Sequence, residues 1–151
     1  MDKPTYVYVT YIHTTAEKLW KALTNSEFTR QYWFGISFNT DWRVGSNLVA
    51  QNSDASAGIT GKVLEYDPPR RLSYTFLSIQ AQGKEEPTRV VLTLDPVGEL
   101  VKLTVVHDQF TAGSKTLESV SQGWPMVLSG LKSLLETGKA LAIPHPGCSK
   151  E

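Results

Sequence analysis

The clearest pattern in the chain is a helical repeat of apolar residues in its last third. Apolar side chains recur there at steps of three and four residues, which places them on one face of a helix. These positions are Leu117, Val120, Trp124, Val127, Leu128, Leu131, Leu134 and Leu135. Gly138 follows them and predicts a left-handed C-cap. Pro125 lies inside the pattern, so we expect a kink or restart, with one segment near residues 114–122 and a longer one at about 124–138.

Before this helix the hydrophobic pattern changes to the alternation of strands. Residues 89–94 and 100–107 each place every second apolar side chain on one face, and residues 95–98 between them read as a turn. Residues 71–77 behave in the same way, with Leu72, Tyr74 and Phe76 on one face. The other predicted strands are residues 6–12, 47–51 and 59–66. Close spacing and turn signals between these segments predict an antiparallel sheet of about six strands.

Two short helices are predicted between the first strand and the rest of the sheet. Thr14 and Glu17 have the spacing of a capping box, and the helix would run over residues 16–23. Thr24 and Glu27 repeat the signal, and the second helix would run over residues 26–33. The order of elements predicts an α+β fold in which a long C-terminal helix packs on a curved antiparallel sheet.

Composition and charge narrow the range of functions. The 151 residues are 40% hydrophobic, and 15 basic residues balance 15 acidic ones. A chain without net charge lacks the excess of positive charge that is typical of proteins that bind nucleic acid or an anionic membrane. No apolar stretch approaches the ~18 residues that a membrane span needs, so we expect neither a nucleic-acid partner nor membrane insertion.

The single cysteine, Cys148, excludes an intrachain disulfide and a thiolate metal cluster. The N-terminus lacks the basic and apolar regions of a signal peptide. We therefore expect a cytoplasmic protein with one domain over residues 1–141. Residues 142–151 show no periodicity, and we expect a flexible C-terminal tail.

Several stretches resemble a known family. They are residues 16–24 (AEKLWKALT), 32–35 (YWFG), 103–110 (LTVVHDQF) and 123–138 (GWPMVLSGLKSLLETG). Together they are similar to the START-like (SRPBCC) superfamily, which has the birch-pollen-allergen fold. Within it they resemble the bacterial homologues of the activator of heat-shock-protein-90 ATPase. The resemblance covers about residues 6–141 and implies the helix-grip fold.

The resemblance implies three classes of function. The first is binding of a small hydrophobic or aromatic molecule, lipid-like or polyketide-like, between the sheet and the C-terminal helix. The second is a protein-interaction module that acts on a chaperone ATPase. The third is a cyclase or hydrolase with an aromatic substrate. An open edge of the sheet also offers a place for a second copy of the chain.

The candidate binding residues are aromatic and aliphatic side chains that a helix-grip fold brings together. Several of the rings come at junctions between elements, where they are typical of a cavity mouth, and Met126 would add an adaptable wall. For each ring taken singly, plain core packing is the competing interpretation. The set is Trp33, Phe34, Trp42, Tyr74, Phe76, His107, Phe110, Trp124, Val127, Leu128 and Leu131.

His107, Tyr74 or a nearby hydroxyl would set the orientation of a ligand, and His107 is the most prominent of these polar groups. It is interpreted either as a handle that orients a ligand or as a hydrogen-bonded residue at the rim of the sheet. Asp108 follows it in sequence, but alternation points that carboxylate to the opposite face, so the two do not form an acid–base pair. The sequence contains no nucleophile elbow, phosphate loop or pair of histidines at metal-ligand spacing. We expect no catalytic residues, cofactor or metal.

Overall fold

The computed structural model describes residues 4–53 and 58–142. Its strands form one antiparallel sheet in the order β1-β7-β6-β5-β4-β3-β2. Two short helices follow the first strand, and one long helix ends the fold, so the predicted helix-grip architecture is confirmed. The elements are β1 Tyr6–Ile12, α1 Ala16–Thr24, α2 Ser26–Tyr32, β2 Ser37–Thr40, β3 Asn47–Gln51, β4 Gly58–Asp67, β5 Arg71–Ser78, a 3-10 turn Ile79–Ala81, β6 Thr88–Val97, β7 Leu100–Asp108 and α3 Lys115–Thr137.

The sheet contains seven strands rather than about six. The additional strand, β2, is four residues long and contributes only Phe38 to the core. So short a segment with one large apolar residue carries almost no periodic signal. The alternation in β5, β6 and β7 is confirmed, since their predicted inward side chains are all buried.

The predicted turn at residues 95–98 is wrong in its first part. β6 continues through Val97, with Pro96 opposite Val101 of β7, and the chain reverses only at Gly98 and Glu99. Proline is tolerated here because the pairing of β6 with β5 ends at Thr93. The last hydrogen bond on that side runs from Leu94 N to Arg70 O at 2.8 Å, so the missing N–H of Pro96 interrupts no central ladder.

The predicted helix caps are displaced by one residue. Thr15, not Thr14, caps α1, and its Oγ1 accepts a hydrogen bond from Lys18 N at 3.2 Å. Asn25, not Thr24, caps α2, and its Oδ1 accepts from Glu27 N at 2.8 Å. Where several adjacent residues can each serve as the N-cap, the sequence does not determine at which residue the helix begins, and packing of the helix decides it.

The predicted break at Pro125 is also wrong, because α3 runs without interruption over 23 residues. Proline removes one backbone donor, but the helix is anchored on both sides of it. Trp124 and Val127 flank the proline and are both buried in the core. Gly138 ends the helix in the predicted left-handed conformation, with φ 88°, and its N–H donates to Leu134 O at 2.9 Å.

One edge of the sheet is capped by side chains of α3. Lys132 Nζ donates to Tyr11 O at 2.7 Å, and Glu136 Oε2 accepts from His13 N at 2.8 Å. Lys132 and Glu136 also form an ion pair at 2.7 Å. The backbone groups at the C-terminal end of β1 therefore have side-chain hydrogen-bond partners, although this strand lies at the edge of the sheet.

The domain prediction for residues 1–141 stays a prediction. Of the predicted tail, only Ala142 belongs to the described residues, and residues 143–151 lie outside them.

Replacing Lys132 with glutamine should lower the free energy of unfolding by about 1 kcal/mol, because a backbone carbonyl loses its charged donor. Chemical denaturation at neutral pH measures the change. Lys18→Gln, an exposed lysine on α1, is the matched control and should change little. Equal effects of the two substitutions would contradict a specific role for the edge cap.

Candidate functional site

The residues predicted for the binding site all belong to the hydrophobic core cluster, which includes the layer between the sheet and α3, or pack against it. Most of them are buried, whereas Trp33, Phe34 and Trp42 are half-buried and pack against the others. The fold therefore brings the set together. Whether it binds a ligand stays a prediction, and the arrangement of its rings determines what such a ligand would meet.

The rings in this layer touch one another in a continuous series. Trp33 lies edge-on to Trp124 at 5.3 Å and to Phe38 at 5.1 Å between ring centroids. Phe38 in turn approaches Trp42 at 6.0 Å and Tyr74 at 6.1 Å. Trp33 thus connects α3 to β2, and Phe38 is a member of the layer that the sequence did not single out.

His107 lies at the centre of a polar relay inside this apolar layer. Trp124 Nε1 donates to His107 Nδ1 at 3.0 Å, and His107 Nε2 lies 2.7 Å from Thr88 Oγ1. The indole N–H can only donate, so Nδ1 must accept and Nε2 must carry the proton. Thr88 Oγ1 then accepts from His107 and donates to Phe76 O at 2.7 Å. Both ring nitrogens of His107 are therefore engaged within the protein.

The relay keeps His107 neutral. Burial lowers the pKa of His107 to about 3, although the nearby Asp108 carboxylate acts in the opposite direction. Asp108 itself lies on the other face of the sheet, where it accepts two hydrogen bonds from Arg89 at 2.9 and 2.6 Å. The two side chains do not form an acid–base pair, as alternation along the strand requires.

Tyr74 differs from His107 in the hydrogen bonding of its buried polar group. Its side chain is 1% exposed, yet its hydroxyl has no hydrogen-bond partner among the described residues. Burial raises the pKa of Tyr74, so the phenol stays protonated and keeps an unused donor. Burial also raises the pKa of Tyr32, and the adjacent Tyr74 contributes to that shift. The Tyr32 hydroxyl, unlike that of Tyr74, donates to Ala22 O at 2.8 Å.

A cavity of about 180 Å³ opens at the rim of the layer, between the end of α2 and the middle of α3. Of the predicted site residues only Phe34 lines it, together with Met126 of α3. The other lining residues were not predicted as part of a site, since they are brought together by the turn after α2 and by the chain after α3. The lining consists of Arg30, Gln31, Tyr32, Phe34, Gly35, Met126, Leu141 and Ala142.

Neither a metal centre nor a membrane span emerges from the described residues. Among residues 4–53 and 58–142, no three side chains of His, Cys, Asp or Glu are grouped so as to hold a metal ion. No helix in the same part of the chain is long and apolar enough to cross a bilayer.

The family model for "Activator of Hsp90 ATPase homolog 1-like protein" matches residues 13–136. The chain belongs to this family. No curated protein sequence matches the chain. The match covers most of the helix-grip domain and confirms the resemblance seen in residues such as Trp20, Trp33 and Trp124.

Solved structures of similar fold come from bacteria and from a eukaryotic parasite. CalU16 from Micromonospora echinospora is 22% identical, with a TM-score of 0.73 over 89% of this chain and 75% of that one. The Aha1 dimer from Colwellia psychrerythraea is 19% identical, with a TM-score of 0.76 over 91% and 99% of the two chains. PFC0360w, an HSP90 activator from Plasmodium falciparum, is 19% identical, with a TM-score of 0.72 over 87% and 95%. At these identities the likeness shows the fold alone.

Acid should destabilise the protein through His107. The unfolded state takes up a proton near the ordinary histidine pKa of 6.5, whereas the folded state resists protonation down to about 3. The free energy of unfolding is unaffected by this group above pH 6.5 and falls below it, by up to about 1.4 kcal/mol per pH unit.

The comparison is made between pH 6.5 and 4.5 by chemical denaturation. Glu85 and Glu136, whose pKa values are lowered in the folded state, add a further dependence near pH 4.5 that is common to the wild type and to His107→Gln and therefore cancels in the comparison. His107→Gln should flatten the dependence of stability on pH, because it removes the group that the folded state keeps unprotonated. An unaltered slope in His107→Gln would refute the buried neutral histidine.

Proposed function

We propose that the protein binds a small apolar or aromatic molecule in the layer between its sheet and α3. The observation that carries this proposal is the unpartnered hydroxyl of Tyr74. A buried polar group without a partner costs about 1–3 kcal/mol, and such groups in folded proteins call for an explanation. A ligand with a polar atom opposite Tyr74 supplies the missing partner.

The walls around Tyr74 supply the apolar part of the binding energy. Phe38 packs against Tyr74, and Trp33 bridges Phe38 to Trp124. Contact with such rings stabilises a ligand by about 25 cal/mol per Å² of apolar surface before ordering costs are subtracted. Few polar groups and many rings are the usual composition of a small-molecule site.

The proposed route into this layer passes Trp33. This side chain is half-buried and lies between the rim cavity, lined by its neighbours Tyr32 and Phe34, and the interior ring of Trp124. Rotation of the Trp33 ring would open a path from the cavity to Phe38, which Trp33 contacts. A tryptophan at this position also reports on ligand entry by its fluorescence.

Orientation of the ligand is assigned to Tyr74 rather than to His107. Both nitrogens of His107 already hold partners, so a ligand would have to break the relay to reach them. The same occupancy argues against a cyclase or hydrolase that uses His107 as its base.

Tyr74→Phe should have opposite effects on stability and on binding. Removal of an unpartnered hydroxyl should raise the free energy of unfolding of the free protein by about 1 kcal/mol. Ligands with a polar atom at this point should bind about tenfold more weakly, because they lose the hydrogen bond. Melting temperature and tryptophan fluorescence are measured with fatty acids, flavonoids and polyketide-like aromatics.

Tyr11→Phe, an exposed tyrosine on β1, is the control and should change neither quantity. The binding proposal fails when none of these compounds alters fluorescence or melting temperature. The role of Tyr74 fails when Tyr74→Phe binds as well as the wild-type protein.

A second function, interaction with a chaperone ATPase, is favoured by an apolar strip on the edge strand. Val7, Val9 and Tyr11 of β1 are 55%, 43% and 45% exposed and point to the same face. Exposed apolar side chains in a row are typical of an interaction surface. The family name and the Plasmodium falciparum activator suggest a heat-shock-protein-90 ATPase as the partner, and the Colwellia dimer suggests a second copy of the chain as a competing occupant.

Addition of the wild-type protein to a bacterial heat-shock-protein-90 homologue should raise its ATP turnover, and Val9→Asp should abolish the effect. Val44→Asp is the matched control, since Val44 is 67% exposed in a turn. Unchanged turnover with wild-type protein would refute this function, and sedimentation of both variants tests whether the strip pairs two copies instead.

A further inference from the structure

The rim cavity has its own chemistry, separate from that of the interior layer. It lies where the last turn of α2 meets Met126 of α3 and the segment Leu141–Ala142. At about 180 Å³ it is somewhat larger than an engineered cavity of about 150 Å³ that holds benzene. It is smaller than the roughly 300–1,000 Å³ of pockets for drug-sized ligands. Its volume therefore fits one six-membered ring with a short substituent.

The apolar part of the cavity lining is suited to such a ring. Phe34, Met126 and Leu141 provide aromatic, thioether and aliphatic surface. Tyr32 uses its hydroxyl on Ala22 O, so it offers the cavity the surface of its ring. Aromatic rings and methionine sulfur both make favourable contacts with an aromatic ligand.

The backbone holds Phe34 in this wall in an unusual conformation. Phe34 has φ 52° and Gly35 has φ 77°, so two consecutive residues are left-handed. This conformation costs a bulky residue about 1–3 kcal/mol and is found preferentially at binding sites. The geometry of the wall is therefore set by the turn after α2 and not by side-chain packing alone.

Arg30 gives the cavity a cationic rim. Its Nη1 donates to Ser37 Oγ at 3.4 Å, which is a long hydrogen bond, and no carboxylate among the described residues forms an ion pair with it. Arg70, Arg71 and Arg89, in contrast, each pair with a carboxylate. The planar guanidinium of Arg30 thus retains donors for a second, anionic group.

The other polar residue at this rim is already engaged. Gln31 Nε2 donates to Glu27 O at 2.8 Å. Glu27 lies three residues before Arg30 on the same helix, but its carboxylate makes no ion pair with Arg30 in the described structure. Arg30 is therefore the charged group that a ligand in the cavity meets first.

We propose that the α2–α3 cavity binds a monocyclic aromatic carboxylate, with the ring between Phe34 and Met126 and the carboxylate on Arg30. This inference rests on the proposed small-molecule function and names a substrate class and a second contact point for it. A carboxylate accepts two parallel hydrogen bonds from a guanidinium, which gives direction as well as charge recognition.

The test compares phenylacetate with 2-phenylacetamide, which has the same shape but no charge. Binding is followed by the backbone amide NMR shifts of Tyr32, Phe34, Gly35 and Met126. The carboxylate should bind the wild-type protein about threefold more tightly than the amide, as expected for an ion pair with an exposed arginine. This preference should decrease as salt is added. Acetate, which lacks the ring, should not shift these amides.

Arg30→Gln should reduce the preference to about one while the amide binds as before, since the ring contacts are unchanged. Arg43→Gln makes the same change in net charge at an exposed arginine outside the cavity, and it should keep the preference. An equal loss in both variants would assign the effect to overall charge and overturn the role of Arg30.

Other outcomes separate this inference from the function on which it rests. Equal binding of acid and amide by the wild-type protein overturns the carboxylate assignment and leaves small-molecule binding intact. Failure of both compounds to shift the cavity amides overturns the cavity as a site. The interior site is judged independently, by the response of Tyr74→Phe to larger apolar compounds.

Discussion

The hydrogen-bonded relay from Trp124 through His107 and Thr88 to the backbone of Phe76 fixes α3 against the sheet. Apolar contacts press the helix onto the strands but do not determine its rotation or its position along them. The relay determines both, because Trp124 Nε1 must lie 3.0 Å from His107 Nδ1 while His107 Nε2 lies 2.7 Å from Thr88 Oγ1. It links α3 to β7, β6 and β5 in succession. The position of Trp33, which packs on Trp124, follows from it.

The relay also defines where chemistry is available in the layer. A buried chain of hydrogen bonds with every member satisfied is rigid, and each of its groups is unavailable to a ligand. His107, the most conspicuous polar residue of the sequence, is for this reason structural in the free protein. Tyr74 lies in the same layer without a partner. Because both nitrogens of His107 have partners and the Tyr74 hydroxyl has none, the proposed ligand contact is Tyr74 on β5 rather than His107 on β7.

The fold could be predicted from the sequence because its signals are local and repeated. Val90, Leu92 and Leu94 alternate, and the α3 residues recur at helical spacing, so a small error at one position does not change the result. Features that depend on a single residue were less accessible. The shift from Thr14 to Thr15, the continuity of α3 through Pro125 and the strand around Phe38 are each decided by packing with distant elements. The spacing of apolar residues along the chain contains no information on such contacts between distant elements.

The candidate site was predictable only in part, and the reason is physical. Rings such as Trp33, Phe76 and Phe110 enter a helix-grip core whether or not a ligand binds, so their presence indicates the layer and not a site within it. The sequence did not indicate a role for Arg30 in a site, since an arginine near the end of a short helix is normally solvated. Its significance arises from the left-handed pair Phe34–Gly35, which turns the chain so that Phe34 faces the same cavity as Arg30. A cavity at the rim costs the fold little packing. The interior is held by the relay and lined by rings, so a substitution at the rim disturbs the packing of the core less than one inside it.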